Sequence, residues 1–114
     1  MLNEVVDALF VPAGASNIQY SQGFALNNDN NVTADVLMIS DSTGATTATV
    51  GFQQSDDMQN WVTHTTSLLV FAAGAAPRKG TVSATGLISA YGRFKFQASA
   101  GDALFKVSAF TKRT

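Results

Sequence analysis

The chain has 114 residues, 46% apolar and only 13% charged, with a net charge of −1 and no cysteine. The length fits one domain, the missing cysteines exclude disulfides and thiolate metal sites, and no apolar run reaches the roughly 18 residues of a membrane-spanning helix. So little charge on so apolar a chain predicts that part of its surface is covered in an assembly.

Residues 2–12 combine a helix-like spacing of Val5, Val6, Leu9 and Phe10 with residue types that favour strands, and Pro12 ends either. A strand is expected that pairs late or docks on a neighbour, residues 1–16 forming an extended arm in the second case. Ile18 to Leu26 alternates, with Gly23 as a candidate bulge. Asn27 to Asn31 is a turn, because Asn and Asp tolerate left-handed backbone angles. The next strand, 32–40, is apolar on both faces at Val36-Leu37-Met38-Ile39, so it belongs inside a sheet or against a neighbour. Asp41-Ser42-Thr43-Gly44 then predicts a hairpin joining 32–40 to 46–54.

The strand from Thr46 alternates Ala48, Val50, Phe52 and Gln54 against Thr47, Thr49, Gly51 and Gln53. It ends in Ser55-Asp56-Asp57-Met58-Gln59-Asn60, a run that can bond back onto its own backbone. Trp61 follows and requires cover, for which packing on Phe52 or Phe94 is expected. Ser67 to Ala72 is an apolar strand. Ala73 to Gly80, with Pro77 and the pair Arg78-Lys79, reads as an exposed loop. Short strands are expected over 81–84 and 93–98, the second with Arg93, Lys95 and Gln97 on one face and Phe94, Phe96 and Ala98 on the other. Ala103 to Thr111 is the last strand, with Phe105, Val107 and Ala109 inward. About eight short strands without a long helix predict an all-β fold, a single antiparallel β-sandwich over 1–114, jelly-roll-like or Ig-like.

Charge is uneven along the chain. Residues 1–57 hold seven acids and no lysine or arginine, whereas 58–114 hold seven bases and one acid, Asp102. Either charges from the two halves pair on one solvated surface, or an acidic face and a basic face steer contacts between copies. On the second reading Arg78, Lys79, Arg93, Lys95 and Lys106 form the basic side of an interface, the last three on adjacent strands. Asp29, Asp41, Asp56 and Asp57 stand against them.

Catalytic chemistry has little to work with. His64 is the only histidine and no nucleophile-elbow pattern exists. Asp41, Asp56 and Asp57 would make an oxygen-ligand Ca²⁺ site only if their two turns shared one end of the sandwich. The glycines form neither GxGxxG nor a P-loop. Trp61, Tyr91 and Tyr20 are the candidate sugar-stacking residues, and Arg93, Lys95 and Lys106 the candidate phosphate contacts. The expectation is therefore a non-enzyme with no metal and no cofactor. Trp61 is its structural anchor.

Gln53-Gln54-Ser55-Asp56-Asp57-Met58-Gln59-Asn60-Trp61 resembles the pattern Q-x-S-[ND]-D-G-x-N-W of small phage structural proteins and related β-sandwich modules. Tyr91-Gly92-Arg93-Phe94-Lys95-Phe96 is similar to their later strand Y-x-R-[FLV]-x-[FV]. The likeness covers roughly residues 32–111, and Met58 stands where the turn glycine is usual. The resemblance implies a virion component made in the host cytoplasm: a capsid-associated decoration (cement) or minor capsid protein. It would assemble as a homo-oligomer, trimeric by analogy, on capsid protein, without nucleic acid or a membrane span. The alternatives are a carbohydrate-binding or adhesin module of a tail or cell surface, with a glycan as ligand, and a small jelly-roll major capsid subunit.

Overall fold

The computed structural model describes residues 2–14, 16–74 and 76–113, with side chains from Leu9 onward except that of Ala73. Nine strands are formed: β1 (Leu2–Val11), β2 (Gln19–Tyr20), β3 (Phe24–Ala25), β4 (Asn31–Asp41), β5 (Thr46–Ser55), β6 (Val62–Gly74), β7 (Arg78–Ala84), β8 (Tyr91–Ser99) and β9 (Ala103–Lys112). They form two antiparallel sheets. One has the order β1-β9-β4-β7 and the other β2-β8-β5-β6, with β3 also on β8. The fold is an all-β sandwich, as the alternating pattern predicts.

Alternation places the core. Val32, Ala34, Val36 and Met38 of β4 and Phe105, Val107 and Ala109 of β9 point inward from one sheet. Ala48, Val50 and Phe52 of β5 and Phe94, Phe96 and Ala98 of β8 point inward from the other. Phe105 bridges the layers: its ring centroid lies 5.1 Å from that of Phe96 and 6.0 Å from that of Phe71. Phe24, Phe52 and Phe94 make a second cluster, with centroids 5.1–6.2 Å apart.

The predicted hairpin between 32–40 and 46–54 does not form. β4 and β5 lie in opposite sheets, and so do β8 and β9. Both connections are arches, because each of these strands has one strongly apolar face and both faces close over the same interior. The arches clasp each other at one end. Ser42 N donates to Asp102 O at 3.0 Å, Asp102 N to Ser42 Oγ at 2.8 Å, and Thr43 Oγ1 to Ala100 O at 2.7 Å. Gly101 (φ +154°) sits where a Cβ would come within 2.3 Å of Thr46 Oγ1, so a side chain there would part them.

Two further expectations meet the structure. Of the two alternatives for residues 2–11, β1 does not stand away from its own sheet: it pairs late, along β9, from Leu2 opposite Phe110 to Val11 opposite Ala103. Met1 and Ala15 lie outside the described residues. Residues 73–80 are not one long loop either, since β6 runs to Gly74 and β7 starts at Arg78.

Because Phe105 joins the layers, Phe105→Ala is expected to cost about 3–5 kcal/mol, the range for deleting a buried aromatic ring. Urea unfolding would show a lower midpoint with an unchanged slope.

Candidate functional site: a clamped arginine on the five-stranded sheet

β8 alternates, so Tyr91, Arg93, Lys95 and Gln97 share the outer face of the five-stranded sheet. Register sets their neighbours: Gln53 of β5 lies opposite Arg93, and Tyr20 of β2 opposite Lys95. Arg93 Nε donates to Gln53 Oε1 at 2.8 Å. The guanidinium carbon lies over the Tyr20 ring at 3.9 Å and over the Trp61 ring at 4.3 Å. Each such contact contributes about 0.5–1 kcal/mol at an exposed site and more when desolvated. Burial lowers the Arg93 pKa below the usual arginine range, and Tyr20 opposes the shift. The group stays cationic at any physiological pH.

The turn from β5 to β6 delivers Trp61 to this place. Ser55 Oγ accepts from Met58 N at 3.0 Å and donates to Asp57 Oδ1 at 2.9 Å. Asp57 Oδ1 also accepts from Gln59 N at 2.9 Å and Asn60 N at 2.8 Å, and its Oδ2 accepts from Asn60 Nδ2 at 2.7 Å. These bonds, led by the one from Asn60 N, hold the Asp57 carboxyl well below the usual carboxylate range. Met58 takes the left-handed angle of the usual glycine, with φ 61°. Met58 and Trp61 then close over Gly23, where a Cβ would lie 2.8 Å from Met58 Cε and 3.1 Å from Trp61 Cη2.

Trp61 is therefore half-buried on the outside of the sheet and absent from the core, which corrects the expected packing on Phe52 or Phe94. The inward positions of β5 and β8 are already filled by phenylalanines, and the turn leads Trp61 to the opposite face.

The basic residues divide among three places. Arg93 and Lys95 share the site above. Lys106 is not on an adjacent strand: β9 belongs to the other sheet, where Lys106 and Lys79 flank Leu37 in register. Arg78 sits at the start of β7, bonds Ala72 O and lies over the Phe71 ring at 5.6 Å. Asp29 and Asp56 line a cavity of about 400 Å³ at one end of the sandwich, together with Ile88 and Arg113. Asp41 is at the other end, bonded to Ala76 N at 2.9 Å, so the turns of Asp41 and of Asp56-Asp57 are separated by the length of β5. Among the described residues no three His, Cys, Asp or Glu side chains gather as a metal site. His64 lies edge-on to Phe52 with centroids 6.3 Å apart, and its Nδ1 bonds Thr65 Oγ1 at 2.8 Å.

A second surface lies on the outer face of the four-stranded sheet. Phe10 (57% exposed) and Phe110 (53%) stand in solvent there, with Leu104 half-buried beside Phe10 in register. Ile39 is exposed at the bulge between Met38 and Ser40. Two-sided apolar character in 36–39 points to this face in the sequence. Phe110 falls on the outward parity of the strand that turns Phe105, Val107 and Ala109 inward, whereas Phe10 gives no such signal, because a phenylalanine in a strand reads as core.

No family model and no curated protein matches the sequence. Solved structures share the fold. The PBSX exported protein XepA aligns over 100% of this chain with a TM-score of 0.63 and 13% identity. A CBM4 chain aligns over 95% at 0.57 and 13%, and a chain of infectious bursal disease virus, Gx strain, over 99% at 0.57 and 6%. The chain spans 37% of XepA, 80% of the CBM4 chain and 32% of the viral chain.

Two outcomes test this geometry. Trp61→Ala is expected to cost about 1–2 kcal/mol, the scale of lost cation–π contact and partial burial, and less than the core substitution. Native tryptophan emission should lie between the buried and fully hydrated limits. Asp57 has a lowered pKa when folded, so its contribution is present above the ordinary aspartate range and fades as pH falls through the folded value. Wild type should thus melt above Asp57→Asn at neutral pH, and the gap should close only in acid below the usual value of 3.8.

Proposed function

We propose that the protein is a non-catalytic bacteriophage virion component, a capsid-associated decoration or minor capsid protein that assembles by packing. The carrying observation is the outer face of the four-stranded sheet, which leaves Phe10, Phe110 and Ile39 in solvent on a chain with 13% charged residues. Scattered exposed apolar residues are ordinary, but large aromatic side chains at both ends of one sheet face are typical of a covered surface. The phage-like turn and aromatic-basic strand, and a fold shared with the PBSX exported protein and a viral chain, support the reading. Further copies of the chain and capsid protein are the proposed partners, the oligomer being a trimer and the location the virion.

A second reading has its own observation. Tyr20 and Trp61 stand together on the other outer face, and the fold is shared with a carbohydrate-binding module, so a glycan is the alternative ligand.

Size-exclusion chromatography with light scattering, then co-sedimentation with capsid shells, tests the first reading. Phe10→Glu is expected to abolish self-association or shell binding and to leave the melting temperature within about 2 °C, since exposed positions rarely change stability by more than about 0.5 kcal/mol. A wild-type chain that stays monomeric at high micromolar concentration and ignores shells would rule the reading out.

A further inference from the structure

Arg93 is locked on three sides. Gln53 Oε1 holds its Nε, and the Tyr20 and Trp61 rings cover its plane. Among the described residues no carboxylate acts on the guanidinium, and its register neighbour Gln53 is neutral. Lys95 lies two residues along the same face, about 7 Å away at strand spacing, with neutral neighbours Gly51 and Tyr20. Asp57, in the turn that carries Trp61, has both oxygens engaged within that turn. A half-exposed guanidinium held by Gln53 and two rings suits a planar carboxylate, which an arginine binds through two parallel N–H···O bonds. Its side-chain entropy is already spent, so little further ordering opposes binding. Tyr20, 40% exposed, offers ring surface beside it for the C–H face of a sugar.

We propose that Arg93, with Lys95 and Tyr20, is a receptor for the carboxylate of an acidic saccharide such as a uronic-acid polymer. The inference deepens the glycan reading, on which it rests, and is independent of assembly through the four-stranded sheet.

The chain's single tryptophan touches Arg93 and reports on the site directly. The full-length protein is titrated with tetragalacturonate, its methyl ester, inorganic phosphate and a polyglutamate peptide, following Trp61 emission and confirming by calorimetry. The expected result is saturable binding of the free acid alone, weakened at least tenfold by Arg93→Lys and about threefold by Lys95→Ala. Lysine keeps the charge but loses the fork. If Arg93→Lys melts below wild type, Lys95→Ala carries the comparison, being half-exposed and outside the clamp. Equal binding of acid and ester overturns the carboxylate receptor and leaves the glycan reading standing. No saccharide response overturns both. A response to phosphate or polyglutamate without one to the saccharide assigns the fork to another anion and overturns the proposal, as does unchanged affinity in both variants.

Discussion

The contact of Phe105 with Phe96 and Phe71 is the one on which the rest of the structure depends. Consecutive strands β8 and β9 lie in different layers, so no backbone ladder joins them. Hydrogen bonds hold each sheet together internally, and apolar burial holds the sheets to each other. Once the inward faces are committed to that seam, every alternate residue is committed to an outer face. The positions of Arg93, Lys95 and Phe110 follow from parity alone.

The two outer faces differ in kind. One carries aromatic and aliphatic side chains in solvent at its ends, with Lys79, Leu37 and Lys106 in register between them. The other exposes Val62 and Val70 along β6 and, on β8, carries an arginine covered by two rings and bonded to Gln53. An apolar face loses unfavourable hydration when covered, whatever covers it, and so serves packing. A clamped guanidinium has a directional edge and so serves recognition. The division of bases between opposite faces also removes the simple picture of one acidic and one basic side, although the sequence splits its charges by half. A sandwich interleaves strands from both halves, with β9 beside β4 and β8 beside β5, and this scatters what the chain order had separated.

Strand existence and facing were legible because a period of two survives in β8 and β9 almost without exception and in β5 from Thr46 to Val50. Connectivity was not. Asp41-Ser42-Thr43-Gly44 has the residues of a hairpin turn, and the same residues serve an arch. The choice depends on whether two apolar faces lie side by side or face to face, which no local pattern records. For the same reason the sequence makes Arg93, Lys95 and Lys106 read as adjacent, although strands that neighbour in sequence here belong to different sheets. The clamp was half legible. Tyr20, Trp61 and Arg93 each stand out in the sequence, but the two-residue pairing of β2 with β8 that unites them is too short to leave a periodic signal.

Met58 shows how the turn and the clamp are linked. Its φ of 61° is a conformation that costs an L-residue of order 1–2 kcal/mol and a glycine nothing. Glycine would suit the turn better. Yet glycine has no side chain to lay over Gly23, and Met58 does so together with Trp61. The flexible thioether fills the gap between the turn and the 21–23 segment, which leads out of β2 and so out of Tyr20. The backbone cost is thereby coupled to the geometry of both rings that hold Arg93. A turn built only to reverse the chain has no need of that methionine; a turn that must also fix a tryptophan against an arginine does.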